Sequence, residues 1–170
     1  MMIKVLICDD QDVVRKGLHI ILSHAEGIAV EGQAENGETA VRLAQQLQPD
    51  DISMDLKKPE HNGIQAAKQI SKQLPQSRIL VLTTYDADEW VFEAIRAGAS
   101  GYLLKDTDGE DIVQAVRDTA AGKAHIDPHI AGKVLAAFRQ LEQPKPVKPK
   151  DPMLEKLTPR ELSILQLMVA

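Results

Sequence analysis

Cysteine is almost absent from this chain. Cys8 stands alone, which excludes an intramolecular disulfide and any multi-cysteine zinc site and makes a reducing compartment the natural setting. No apolar run approaches the roughly 18 residues of a membrane span, and Met1-Met2-Ile3-Lys4-Val5 lacks the layout of a secretion signal. A cytoplasmic protein without membrane contact is expected. A basic excess is missing too: the net charge is −5 and the pI about 5.5. Sequence-independent nucleic-acid binding is thereby disfavoured, because neutralising phosphates needs a basic footprint. The five histidines are scattered, none in metal-ligating spacing with another.

What is present is an ordinary globular composition, 44% hydrophobic and 26% charged. A length of 170 residues suits one full domain and a fragment of another. Before about residue 122, short β-prone apolar runs alternate with helical periodicity five times. That pattern predicts a five-stranded parallel sheet with crossover helices. The predicted strands are Ile3 to Cys8, Ile28 to Ala34, Ile52 to Met54, Arg78 to Thr83 and Tyr102 to Leu104. Asp12 can cap the first helix, Asn36-Gly37 opens the second, and Pro49 stops it. Further helices are expected from about Ile64 to Leu74, from a cap at Asp86 through Ala97, and from about Gly109 to Ala121. Another, Ile130 to Leu141, reads as a helix leaving the domain.

Between Gln143 and Pro152 stand Pro144, Pro146, Pro149 and Pro152, interleaved with Lys145, Lys148 and Lys150. Such a stretch favours extended, solvated backbone and acts as a spacer. The expected organisation is a domain over 1–122, a helical and Pro/Lys-rich linker over 123–152, and the start of a helical domain over 153–170. That last piece opens on Leu157-Thr158-Pro159-Arg160-Glu161-Leu162. Thr158 and Glu161 can cap reciprocally, Pro159 suits the first helical position, and Leu157 can staple onto Leu162.

Ligands of an open parallel sheet bind beyond the carboxyl ends of its strands. Here the first strand ends in Asp9-Asp10, the third in Asp55, the fourth in Thr83-Thr84 and the fifth in Lys105. Three clustered carboxylates repel one another unless a cation compensates, so the group implies a hard, oxygen-preferring metal, Mg²⁺ first. With that cation and Lys105, a phosphoryl group can be held in line with a carboxylate oxygen, giving an acyl phosphate.

Asp9-Asp10, Met54-Asp55-Leu56 with Pro59, Thr83, and Gly101-Tyr102-Leu103-Leu104-Lys105-Asp106 resemble the receiver domain of two-component response regulators, over roughly the first three quarters of the chain. The resemblance implies a flavodoxin-like, doubly wound fold and a phosphoacceptor switch rather than an enzyme, one that catalyses only its own phosphorylation and dephosphorylation. It implies Asp55 as phosphoacceptor, and Asp9, Asp10, Asp55 and the backbone carbonyl of Lys57 as Mg²⁺ ligands. Lys105 would pair with the phosphoryl group, Thr83 would move toward it, and Tyr102 would rotate in response. Asp10-Gln11-Asp12-Val13-Val14-Arg15-Lys16-Gly17-Leu18 and Leu157-Thr158-Pro159-Arg160-Glu161 narrow the resemblance to the NarL/FixJ subfamily, with a LuxR-type helix-turn-helix output. A sensor histidine kinase would be the phosphoryl donor. A homodimer would form on phosphorylation, with Val14, Leu18, Ile112 and Val116 near its surface.

The chain departs from that pattern at Lys58, Asn62, Asp51 and Ser53, all flanking Asp55, where phosphoryl lifetime or loop mobility is expected to respond. Specific DNA binding needs the complete output domain, and only about its first helix follows Leu157, so these 170 residues are not expected to bind an operator. Two other classes fit less well. A haloacid-type hydrolase places a second acid two residues after its nucleophile, where Lys57 stands. A flavin or nucleotide site needs a Gly-, Ser- or Thr-rich loop after the first strand, where Asp9-Asp10-Gln11-Asp12 would repel phosphate. Taken singly, Trp90, Cys8 and the histidines read as packing or surface residues.

Overall fold

The computed structural model describes residues 1–56, 62–84, 87–141 and 158–169, and the chain divides into two compact units, Met1–Ala136 and Ala137–Ala170. In the first, strands and helices alternate as β1 (Ile3–Cys8), α1 (Asp12–Ser23), β2 (Ile28–Ala34), α2 (Gly37–Leu47), β3 (Asp51–Met54), α3 (Asn62–Gln73), β4 (Arg78–Thr83), α4 (Asp88–Arg96), β5 (Gly101–Leu104) and α5 (Gly109–Ala120). A two-residue strand, β6 (His125–Ile126), follows, and α6 (Pro128–Leu141) crosses the boundary between the two units. The sheet is parallel throughout, in the order β2-β1-β3-β4-β5-β6. The parallel doubly wound class expected from the alternation is the one observed, with β6 added to the five predicted strands. Residues read as linker from 123 onward therefore begin as part of this sheet.

Each strand contributes alternate residues to two apolar layers, as the two-residue period of a strand requires. On one face Leu6, Ile52, Met54, Ile79, Val81 and Tyr102 share a core with Ala40, Ile70, Val91 and Ile130. On the other, Val5, Ile7, Leu80, Leu82 and Leu103 pack with Leu18 and Leu22 of α1 and Ile112 and Val116 of α5. This second layer corrects one expectation. Leu18, Ile112 and Val116 are buried and Val14 is partly so, because the apolar stripes of α1 and α5 are used inward, against the sheet. The apolar side chains that α1 does expose are Val13 and Ile20.

Local signals account for most boundaries. The Asn36 side chain accepts from the Thr39 amide at 2.8 Å, capping α2, and Gln48 closes that helix in the left-handed region before Pro49. Asp108 caps α5 through the Glu110 amide. The cap of α1 is Gln11 and not Asp12, with no side-chain bond; Asp12 instead pairs with Arg15 at 3.1 Å and Lys16 at 2.6 Å. Ala87 precedes α4, and Asp86, the expected cap, lies outside the described residues. Gly98 takes a φ of +102°, a conformation open to glycine at little cost.

In the second unit, α7 (Pro159–Val169) begins as its sequence indicates. The Thr158 amide donates to Glu161 Oε2 at 2.7 Å, and the Glu161 amide reaches Thr158 Oγ1 at 3.4 Å. Leu157 lies outside the described residues, as does the proline-rich stretch before it. No described helix is long and apolar enough to cross a membrane.

Candidate functional site

The strand order reverses between β1 and β3, the switch point where open α/β sheets bind ligands. Three residues just past the strand ends remain tied into the ladder there. The Asp9 amide donates to the Ala34 carbonyl at 3.0 Å, the Asp55 amide to Cys8 at 2.9 Å, and the Lys105 amide to Thr83 at 2.9 Å. Their backbones are thus held by the sheet while their side chains stand free of the pleat. A site built this way is positioned by the rigid part of the fold rather than by mobile loops.

The side chains converge. Lys105 Nζ lies 2.7 Å from Asp9 Oδ2 and 3.1 Å from Asp55 Oδ2. Asp9, Asp10 and Asp55 can each offer a carboxylate oxygen within 4.8 Å of the others. Asp9 is buried, Asp55 half-buried and Asp10 exposed, so the cluster opens to solvent on the Asp10 side. Asp55 Oδ1 is buried without a hydrogen-bond partner among the described residues. Burial, joined by the charge of Asp9, raises the Asp55 carboxyl above its ordinary range despite the opposing pull of Lys105. Burial alone would lower Lys105, but its bonds to Asp9 and Asp55 outweigh that and raise it.

One ammonium against three carboxylates leaves two negative charges to be compensated within a single small cluster. Oxygen donors at close range, with an unpartnered buried oxygen among them, are the chemistry that a hard divalent cation satisfies. Asp9, Asp10 and Asp55 therefore fit such an ion. Lys57, whose carbonyl was expected to join them, lies outside the described residues, as do Lys58 and Pro59; of Asn62 only the backbone is described.

Thr83 and Tyr102 stand on neighbouring strands. Thr83 is fully buried and its hydroxyl donates to the Leu56 carbonyl at 3.1 Å. Tyr102 is only 1% exposed, with its ring already in the core. Cys8, at the end of β1, is a buried thiol pushed up to about 12, by burial first and then by the charges of Asp9 and Asp55. It is inert packing, as read from the sequence.

Arg15 is the participant that motif reading missed. From the first turn of α1 its guanidinium donates to the Asp9 carbonyl at 2.6 Å and to Asp12 Oδ1 at 3.1 Å. The Gln11 amide also bonds Asp9 Oδ1 at 2.9 Å. The turn presenting Asp10 is thus clamped on both sides. The only advance signal was an arginine three residues after Asp12, a spacing that puts both on one helical face.

The polar residues flanking Asp55 in the chain do not flank it in space alike. Asp51 and Ser53 enter the α1/α5 layer, where register sets Asp51 beside Val5 and Ser53 beside Ile7 and Leu80. Asp51 Oδ2 accepts from Thr119 of α5.

The family model described as the response regulator receiver domain matches residues 5–117. The chain is 41% identical over 167 residues to the uncharacterized transcriptional regulatory protein YxjL of Bacillus subtilis, covering 98% of this chain and 75% of that protein. It is 41% identical over 168 residues to the transcriptional regulatory protein LiaR of the same organism, covering 98% and 76%. Among solved structures, a LuxR-family two-component response regulator from Aurantimonas superposes with a TM-score of 0.75 at 32% identity, over 84% of this chain and 100% of that one. The signal receiver domain of the putative response regulator NarL from Mycobacterium tuberculosis does so with a TM-score of 0.68 at 33% identity, over 72% and 98%.

Proposed function

Because this chain belongs to the response regulator receiver family, we propose that it is the phosphorylation switch of a two-component system, with Asp55 as the group that carries the phosphoryl. The observation that carries this reading is the grouping of Asp55 with Lys105 at 3.1 Å and with the oxygens of Asp9 and Asp10. An Asp55 oxygen attacks the phosphorus of a kinase phosphohistidine. The P–O bond forms as the P–N bond breaks, and the imidazole leaves and takes a proton from solvent. Hydrolysis later returns the carboxylate and inorganic phosphate, so the chain turns over only its own phosphoryl group.

Asp9, Asp10 and Asp55 would hold Mg²⁺, which when bound neutralises charge on the transferring phosphoryl oxygens. Lys105 then supplies a second positive charge from the opposite strand tip. Its present contact with Asp55 keeps the ammonium where those oxygens would lie. Thr83, buried beside the site, exchanges its Leu56 bond for one to the phosphoryl group, and the change passes along β4 and β5 to Tyr102.

The regulatory relatives support a transcriptional output; in this reading α7 is the first helix of a DNA-binding domain and the cytoplasm is the place of action. Phosphorylation-dependent self-association through the α1 and α5 side belongs to the same reading, now through outward residues such as Val13 and Ile20. The test is intact mass after treatment with acetyl phosphate and Mg²⁺. A single phosphoryl adduct is expected on the wild type and none on Asp55→Asn; an adduct retained in the variant would remove Asp55 from the role.

A further inference from the structure

β5 would be the edge of the sheet, but its outer side is already filled. His125 and Ile126 pair in parallel with Gly101 and Tyr102. The Asp127 amide donates to the Tyr102 carbonyl at 2.9 Å. Gly101 permits this approach, since a Cβ there would stand 2.8 Å from the His125 carbonyl oxygen. From α6, Ile130 is completely buried in the cluster that contains Tyr102 and Val91, and Ile126, Val134 and Trp90 pack against that cluster. A polar clasp completes the contact: Lys133 Nζ lies 3.3 Å from Asp88 Oδ1, at the start of α4.

We infer that residues 125–134 form a strap docked in cis on the α4–β5 side of the sheet, and that the state of Asp55 controls its docking. The second half of the inference rests on the phosphoacceptor reading given above. The strap holds the backbone of Tyr102 at one end and the first residue of α4 at the other. β4 ends at Thr83 and α4 begins at Asp88, so only four residues separate the buried hydroxyl at the site from the carboxylate that clasps Lys133. Drawing Thr83 toward a group on Asp55 displaces the start of α4 and loosens the clasp. The consequence is directional: the signal leaves the sheet through α6 itself, which continues past residue 134, and the α4–β5 side is not open to a second protein while the strap is seated. A merely structural strap, one that covers a sheet edge against unwanted pairing, would be indifferent to Asp55.

Hydrogen exchange read by mass spectrometry on the whole chain, with and without beryllofluoride and Mg²⁺, separates the two. The amides of 126–134 are expected to exchange at least fivefold faster with beryllofluoride bound, and Trp90, the sole tryptophan, to shift its emission to longer wavelength. Unchanged protection, with bound beryllofluoride verified by fluorine NMR, overturns the control while leaving the phosphoacceptor reading intact. Absence of a bound fluorine signal overturns both. The docking contact has its own test: Lys133→Asp is expected to speed exchange of the same amides without any ligand, and Asp88→Lys added to it to slow them again. No restoration in the double variant would show that the clasp does not hold the strap.

Discussion

The Thr119 hydroxyl lies 2.5 Å from Asp51 Oδ2, with the Ala115 and Val116 carbonyls at 2.8 and 3.2 Å, so one hydroxyl proton faces three acceptors. Thr119 donates to Asp51, but the neighbouring carbonyls compete for the same proton, so the bond only partly offsets the cost of a buried charge. The surroundings favour the protonated carboxyl. Asp51 is fully buried, which raises its carboxyl to about 7 despite the lowering effect of Thr119 and with the charge of Asp50 adding to the rise.

Stability should therefore fall as pH rises through this window. Unfolded, Asp51 titrates near its ordinary value of 3.8; folded, near 7. Between the two, the folded chain holds a proton that the unfolded chain has released, so the folded state loses ground until pH passes about 7 and is level beyond it. Three units correspond to at most about 4 kcal/mol. Asp51→Asn removes the titration and keeps an acceptor for Thr119. Urea unfolding at pH 8 is expected to show the variant more stable than the wild type by about 1–3 kcal/mol, with the gap shrinking toward pH 5. A gap independent of pH would mean that Asp51 is not protonated in the fold.

The clamp made by Arg15 bears on metal affinity through Asp10. Arg15→Lys keeps the charge but loses the two-pronged hold on Asp9 and Asp12, whereas Arg15→Gln loses both. If position matters, each variant needs several-fold more Mg²⁺ for half-maximal phosphorylation by acetyl phosphate, with the maximal rate little changed. If only charge matters, Lys behaves as wild type and Gln binds the cation more tightly, since a repelling charge is gone. Titrating Mg²⁺ against the rate of adduct formation distinguishes these outcomes.

A backbone prediction concerns Gly98. Its φ of +102° disfavours any side chain, and a Cβ would fall 2.3 Å from Ser71 Oγ on α3. Gly98→Ala is expected to lower stability by roughly 2–4 kcal/mol, from strain and overpacking together. Adding Ser71→Gly relieves the clash but not the strain, so thermal unfolding of the pair should recover part of the loss and not all of it.

Much of this architecture could be read without coordinates, for physical reasons. Strands buried on both faces read as near-continuous apolar runs, so the acids and the lysine that end them, Asp9, Asp10, Asp55 and Lys105, stand out in the chain. β6 did not, because two residues carry no periodicity. Leu18, Ile112 and Val116 were misplaced because an apolar stripe reveals that a helix face is covered but not by what. Asp51 drew suspicion through nearness in sequence to Asp55, yet its side chain enters the α1/α5 layer, where its partner Thr119 lies 68 residues away. No local pattern announces such a pair.

Lys105 occupies oxygens that the cation would need, and this competition is measurable. Its ammonium bridges Asp9 Oδ2 and Asp55 Oδ2, while its own side chain is 14% exposed. Removing it by Lys105→Ala leaves two poorly solvated carboxylates facing each other. Loss of one partner of a buried pair costs about 3–5 kcal/mol, and the opening toward Asp10 reduces this to about 2 kcal/mol. Without metal, the variant should unfold at a lower temperature than the wild type. Added Mg²⁺ stabilises each protein in proportion to the logarithm of its concentration over the dissociation constant. That constant should be smaller in the variant, because no ammonium has to be displaced. Raising Mg²⁺ to roughly 10 mM is therefore expected to lift the Tm of Lys105→Ala more than that of the wild type and to narrow the gap between them. Calorimetric titration should show tighter Mg²⁺ binding by the variant. Equal shifts in Tm, with equal dissociation constants, would mean that the lysine and the cation use different oxygens.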